Sequence, residues 1–171
     1  YELGVTAGLR PYVAFSDRDG SRQTAVSPVP IAAGRWSHLA GVWDLQAREL
    51  RIVLDGRLQQ TLVVANVRPA AGEAAVSRGV IGDGLTGALD DVTVWTVART
   101  SDEIYAGMRT RLTGAEAGLV AYYRFDDATS GAVGGGVSGR ADWGTGHIED
   151  FALACRRDWL TEWSHAATVV A

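Results

Sequence analysis

The chain has 171 residues, a net charge of −4 and a pI near 5.3, with 47% hydrophobic and 21% charged residues. That is enough for one ordinary domain with a substantial core, and the acidic balance argues against nucleic acid, whose affinity rests on neutralised phosphates. No run approaches the roughly 18 apolar residues of a membrane span, so no membrane insertion is expected, and the single cysteine, Cys155, leaves no intrachain disulfide. The 16 basic residues are all arginine, which reads as codon bias of a GC-rich genome rather than thermal adaptation.

Short β-branched and aromatic runs, punctuated by Gly, Asp and Pro, dominate the chain, an all-β signal. In chain order the predicted strands cover 2–7, 10–16, 22–27, 36–43, 49–55, 57–63, 75–81, 88–96 and 119–125. Asp17-Arg-Asp-Gly20 closes one hairpin and Asp55-Gly56 another, the second being a pair suited to a tight turn with positive φ at both central residues. Asp17 and Asp19 read as turn residues rather than as a Ca²⁺ loop, because no Glu completes the twelve-residue pattern. One helix is expected over 101–112. Thr100-Ser-Asp-Glu103 fits a capping box, and Ile104, Met108 and Leu112 form an apolar stripe. Residues 128–146 are glycine-rich and read as a loop or linker. In the C-terminal extension, 147–171, Phe151, Cys155 and Trp159 share helical spacing, so a partly helical segment is expected there.

Three segments appear in a telling order: Gly34-Arg-Trp-Ser-His-Leu-Ala-Gly-Val-Trp43, then Leu50-Arg-Ile-Val-Leu-Asp-Gly56, then Ile81-Gly82 followed by Leu85-Thr-Gly-Ala-Leu-Asp-Asp-Val-Thr-Val-Trp95. With Ala98-Arg-Thr-Ser-Asp-Glu-Ile104 after them, they resemble the laminin-G-like domains of the concanavalin A-like lectin/glucanase superfamily. The resemblance covers roughly 1–113. It implies an antiparallel two-sheet jelly-roll sandwich with one short helix. Gly118-Leu-Val-Ala-Tyr-Tyr-Arg-Phe-Asp-Asp127 is similar to the family's opening strand, yet it stands late in this chain. Two accounts compete. Residues 118–127 close the sandwich beside 88–96, within a domain of 1–127, or they begin a next repeat.

The resemblance implies a structural Ca²⁺ held by carboxylates near the opening and penultimate strands. Asp90 and Asp126 are the favoured ligands, Asp90 because it alternates with Val92 and Val94; Asp91, Asp127 and Asp83 are weaker candidates. Against a metal, each reads as a turn former or a solvated edge charge. Among the tryptophans, Trp36 and Trp95 read as core, and Trp143 is a weak candidate for an exposed sugar-binding ring. His38 reads as a hydrogen-bonded strand residue, and Cys155 as a small apolar packing group.

No catalytic residue is expected. Hydrolases of this sandwich carry Glu-x-Asp-x-Glu or a near variant on one strand. Here Glu2, Glu49 and Glu73 stand alone, and Glu149 and Asp150 would face opposite ways in a strand. No Gly-x-Ser-x-Gly elbow occurs. The expected function is a non-catalytic recognition module that binds glycan or protein on a surface through sandwich-edge loops. The chain reads as a piece of a larger secreted or cell-surface protein, with neighbouring domains of the same polypeptide as further partners. Two alternatives stand beside this: a structural spacer in a surface protein, tail fibre or toxin, and an accessory domain of a secreted glycoside hydrolase.

Overall fold

The computed structural model describes residues 1–64, 67, 69, 81–82 and 87–124, and the backbone alone at Val80, 151–155 and 169–170. The strands are β1 (Glu2–Val5), β2 (Pro11–Ser16), β3 (Arg22–Val26), β4 (Leu39–Asp44), β5 (Glu49–Leu54), β6 (Arg57–Val63), β7 (Val80–Ile81), β8 (Val92–Trp95), β9 (Leu119–Tyr123), β10 (Phe151–Cys155) and β11 (Val169–Val170), with α1 (Ser101–Gly107) between β8 and β9. They form a five-stranded sheet, β3-β2-β1-β11-β7, and a six-stranded sheet, β6-β5-β4-β10-β8-β9. Every described pairing is antiparallel. This is an all-β sandwich of the jelly-roll kind.

Alternation along the strands sorts side chains between two clusters. Leu3, Val13, Phe15 and Ala25 of the smaller sheet meet Leu39, Trp43, Leu50, Ile52, Val92 and Val94 of the larger one. Phe15 and Trp43 centre the contact, their rings 4.9 Å apart and tilted by 60°. The sheets approach so closely that Gly41 has no room for a side chain: a Cβ there would lie 2.5 Å from Val13 Cγ2. On the opposite face of the larger sheet, Ala40, Val42, Val53 and Trp95 pack with Ile104 of α1. Residues 39–43 of β4 are therefore buried without a break, as expected for a strand covered on both faces.

The outer strands are blunted rather than bare. Gln60 in β6 reaches across so that its Oε1 accepts the backbone N–H of Val26 in β3, tying an edge of one sheet to an edge of the other.

Several elements differ from expectation. Phe151–Cys155 is a strand between β4 and β8, and Val169–Val170 pairs with Glu2 and Leu3 and with β7, where the spacing predicted a partly helical segment. Five consecutive apolar residues carry no period that separates a central strand from a buried helix. Long-range pairing decides between them. The helix stops at Gly107, short of Leu112. Glycine lowers helix propensity by about 1 kcal/mol relative to alanine, and the Thr110 amide and hydroxyl turn back onto the Gly107 and Ala106 carbonyls. Trp36 lies ahead of β4 and is half-buried rather than core, whereas Trp95 is buried. β9 lies beside β8 in one sheet. The glycine-rich stretch 128–146 falls outside the described residues.

Candidate functional site

The larger sheet is most elaborately built at one end, where β4 and β8 begin and β9 finishes. The Asp55-Gly56 turn anchors this end. Asp55 has φ +50° and Gly56 φ +73°, the left-handed pair that a tight hairpin turn requires. The Asp55 carboxylate accepts the His38 N–H at 2.8 Å, and the Asp55 N–H donates to the His38 carbonyl at 2.8 Å. The turn thus fixes the backbone of His38 as the chain enters β4. Gly56 also lets α1 come close, since a Cβ on it would lie 2.6 Å from Tyr105 Cδ2.

The start of α1 is held by the capping box expected from sequence. Thr100 Oγ1 accepts the Glu103 N–H at 3.2 Å, and the Glu103 carboxylate accepts the Thr100 N–H at 2.8 Å. The Thr100 backbone and hydroxyl hold the Glu103 carboxyl below its ordinary range. Arg99 lies 4.2 Å from the centre of the Trp95 ring, a cation–π stack at the helix entrance, and donates to the Glu103 carbonyl.

Asp91 enters β8 with φ +51°. Asp is among the few side-chain-bearing residues that tolerate this region. Its carboxylate accepts the Tyr122 hydroxyl at 2.5 Å, bridging β8 to β9. Tyr122 is in register with Thr93, and Thr93 Oγ1 accepts the Trp95 indole N–H at 3.1 Å. Between these groups and the end of α1 lies a small, open recess of about 30 Å³. Its polar lining includes His38, Asp91, Thr93 and Tyr122, while Ile104, Met108 and Leu112 supply apolar walls. His38, Thr93, Trp95 and Tyr122 are all buried, so the groups are preset by the sheet rather than carried on mobile loops.

Of the acids singled out from sequence as metal ligands, Asp90 and Asp91 are the described ones, and of these two Asp91 lines the recess. The Asp90 carboxylate accepts the neighbouring Asp91 N–H at 3.0 Å. Asp83, Asp126, Asp127 and Trp143 lie outside the described residues. Val92 is in register with Tyr123, so the end of β9 lies beside the start of β8. Ca²⁺ takes six to eight oxygens, and among the described residues no group of three or more His, Cys, Asp or Glu is placed to hold a metal. Asp90 and Asp91 alone do not make a Ca²⁺ cage. Asp17 is a turn former, its Oδ1 accepting the N–H groups of Asp19 and Ser21.

Sequence reasoning assigned no site role to Thr93 or Tyr122, read Met108 as part of the helix's apolar stripe, and read His38 only as a strand residue. One signal was present. Val92 and Val94 belong to the core, so Asp91, Thr93 and Trp95 alternate onto the other face. The argument that favoured Asp90 through its alternation with Val92 ran through Asp91, whose positive φ breaks the extended run.

An antiparallel sandwich of two such sheets defines the class of jelly-roll domain. Residues 1–105 match the family Laminin_G_3, of the concanavalin A-like lectin/glucanases superfamily, and the chain belongs to that family. No curated protein and no solved structure matches it. Domains of this family are generally carbohydrate- or protein-binding modules and usually extracellular, although the superfamily also includes glycosidases. Among the described residues no helix is long and apolar enough to cross a membrane.

Proposed function

We propose that this chain is a non-catalytic recognition module of a larger extracellular or surface protein, binding carbohydrate or protein through the end of the sandwich that holds the α1 recess. The observation that carries this reading is the convergence of Asp91, Tyr122, Thr93 and His38 at one end of a rigid sheet, beside apolar walls from α1. Small-molecule sites favour this mixture of apolar lining and a few fixed polar groups. Glycoside hydrolysis needs two carboxyl groups flanking the bond, and Asp91 is the one carboxylate among the described lining residues.

A structural Ca²⁺ belongs to the proposal in a secondary place. It would join Asp90 to oxygens from Asp126, with Asp91, Asp127 and Asp83 as lesser candidates, and would order the loops around the recess. The test is binding to a broad glycan array in millimolar Ca²⁺, repeated in EDTA. Specific binding lost in EDTA supports a Ca²⁺-ordered lectin-like module; binding that persists in EDTA keeps the recognition reading and removes the metal. Absence of glycan binding in both conditions removes carbohydrate and leaves protein as the ligand class.

A further inference from the structure

The solvent side of α1 takes no part in the recess. Ile104 is buried against the sheet and Met108 lines the recess, while Asp102, Tyr105, Ala106 and Arg109 are all exposed. Their spacing is i, i+3, i+4 and i+7, so they form one stripe along the helix. Arg109 lies just past the helix, but the cap at Met108 keeps right-handed angles (φ −63°, ψ −10°), and the stripe continues to it. Asp102 and Arg109, about 10 Å apart along the axis, close its two ends with opposite charges. No ion pair joins either of them to another described residue.

The middle of the stripe is apolar. Tyr105 is 56% exposed, yet its base is fixed against the Gly56 turn, where a Cβ would lie 2.6 Å from Tyr105 Cδ2. Leu58, 49% exposed, is in register with Val53, whose side chain packs with Ile104, so Leu58 shares the α1 face of the sheet and carries the apolar surface onto β6. An exposed aromatic held at its base loses little freedom on binding, and tyrosine is among the side chains that anchor interfaces.

We propose that this stripe is a homodimer contact, with α1 packed antiparallel on α1 of a second copy about a two-fold axis between Tyr105 and Ala106. A two-fold contact must be self-complementary, the same patch meeting itself reversed. Reversing this stripe sets Asp102 beside the partner's Arg109 and Tyr105 over the partner's Ala106, the smallest side chain on the face. Like charges at both ends would repel on reversal, and two bulky residues in the middle would clash; this stripe has neither. Standard interfaces bury roughly 1,200–2,000 Å². Two short helices with Leu58 at the rim reach the low end, so a reversible dimer is expected, with a dissociation constant on the order of 10–100 μM. The dimer does not depend on what the recess binds. It sets two recognition ends in one particle, which adds avidity on a surface that presents repeated ligands.

Sedimentation equilibrium of the chain, from about 1 μM to about 1 mM, tests this, with thermal melting as the check on folding. Asp102→Arg and Arg109→Asp should each weaken the dimer about tenfold or more, by placing like charges together. The double variant, Asp102→Arg with Arg109→Asp, should restore it, because the swapped pair is again complementary. Ala106→Glu keeps a good helix former at an exposed position and should abolish the dimer by crowding the partner's Tyr105. Added salt should weaken the parent dimer, since its end charges are exposed. A chain that stays monomeric throughout overturns the proposal, as does a dimer that Ala106→Glu leaves intact or a double variant that fails to recover. None of these outcomes alters the glycan-array result, so the recognition reading stands or falls separately.

Discussion

The two sheets turn very different outer faces away from their shared core. On the smaller sheet the outer face carries a polar network: Tyr12 donates its hydroxyl to Glu2, and Arg22 pairs with the same carboxylate at 2.5 Å. Burial raises the Glu2 carboxyl, but the Tyr12 and Arg22 hydrogen bonds outweigh it and hold the group below its ordinary range. The larger sheet is instead roofed by α1, and where the roof ends it leaves a polar recess. Water solvates the first face, and its polar groups satisfy one another. Polar groups on the second are buried under an apolar roof, where each demands a defined partner. The contrast is what directs the proposed ligand site to the roofed face.

The comparison breaks most sharply where the faces share a core. Gly41→Val should destabilise by about 3 kcal/mol through overpacking against Val13, lowering the denaturant midpoint and loosening both faces together. Ile104→Ala should cost about 2–3 kcal/mol and act on the roofed face alone. Hydrogen exchange would then rise in α1 and β4 while β1 and β2 keep their protection. A uniform rise would show that α1 is not an independent layer.

Smaller effects sharpen the same contrast. Thr100→Ala should cost about 1 kcal/mol by deleting the cap. Its partner Glu103 has a folded pKa below the unfolded value, so the stability it adds is present above the unfolded value near 4.5 and is lost as pH falls through the folded one. The gap between the melting curves of Thr100→Ala and the parent should therefore narrow in acid without closing, because the Thr100 Oγ1 bond to the Glu103 N–H does not depend on the carboxylate. On the open face, burial first and the Glu2 hydrogen bond second push the Tyr12 pKa from 10 up to about 12. A raised pKa contributes stability that is fully present below 10 and fades as pH rises toward 12. Phenolate absorbance should show a late-titrating tyrosine that Tyr12→Phe removes, together with some stability at neutral pH, since the hydroxyl's bond to Glu2 goes with it.

How far these features could be read from the chain depended on the range of the forces behind them. The Asp55-Gly56 turn and the Thr100–Glu103 cap were legible because both are set by residues within four positions of each other. Strand β10 was not, since its place between β4 and β8 is decided by partners far away in sequence, and a short apolar run carries no period of its own. The site was half legible. The acids at 90 and 91 stood out; Asp91 lines the recess as its alternation with Thr93 and Trp95 implies, while the left-handed backbone at Asp91 interrupts the extended run that linked Asp90 to Val92. Tyr122 enters the site only through cross-strand register with Thr93.

The most direct test of the central claim is a paired titration of an array-selected glycan against Met108→Trp on the roofed face and Arg22→Ala on the open face. The account predicts at least a tenfold loss for Met108→Trp and unchanged affinity for Arg22→Ala, both variants remaining folded. The reverse pattern, with binding lost at Arg22 and kept at Met108, would contradict it and move the ligand to the Glu2–Tyr12–Arg22 face.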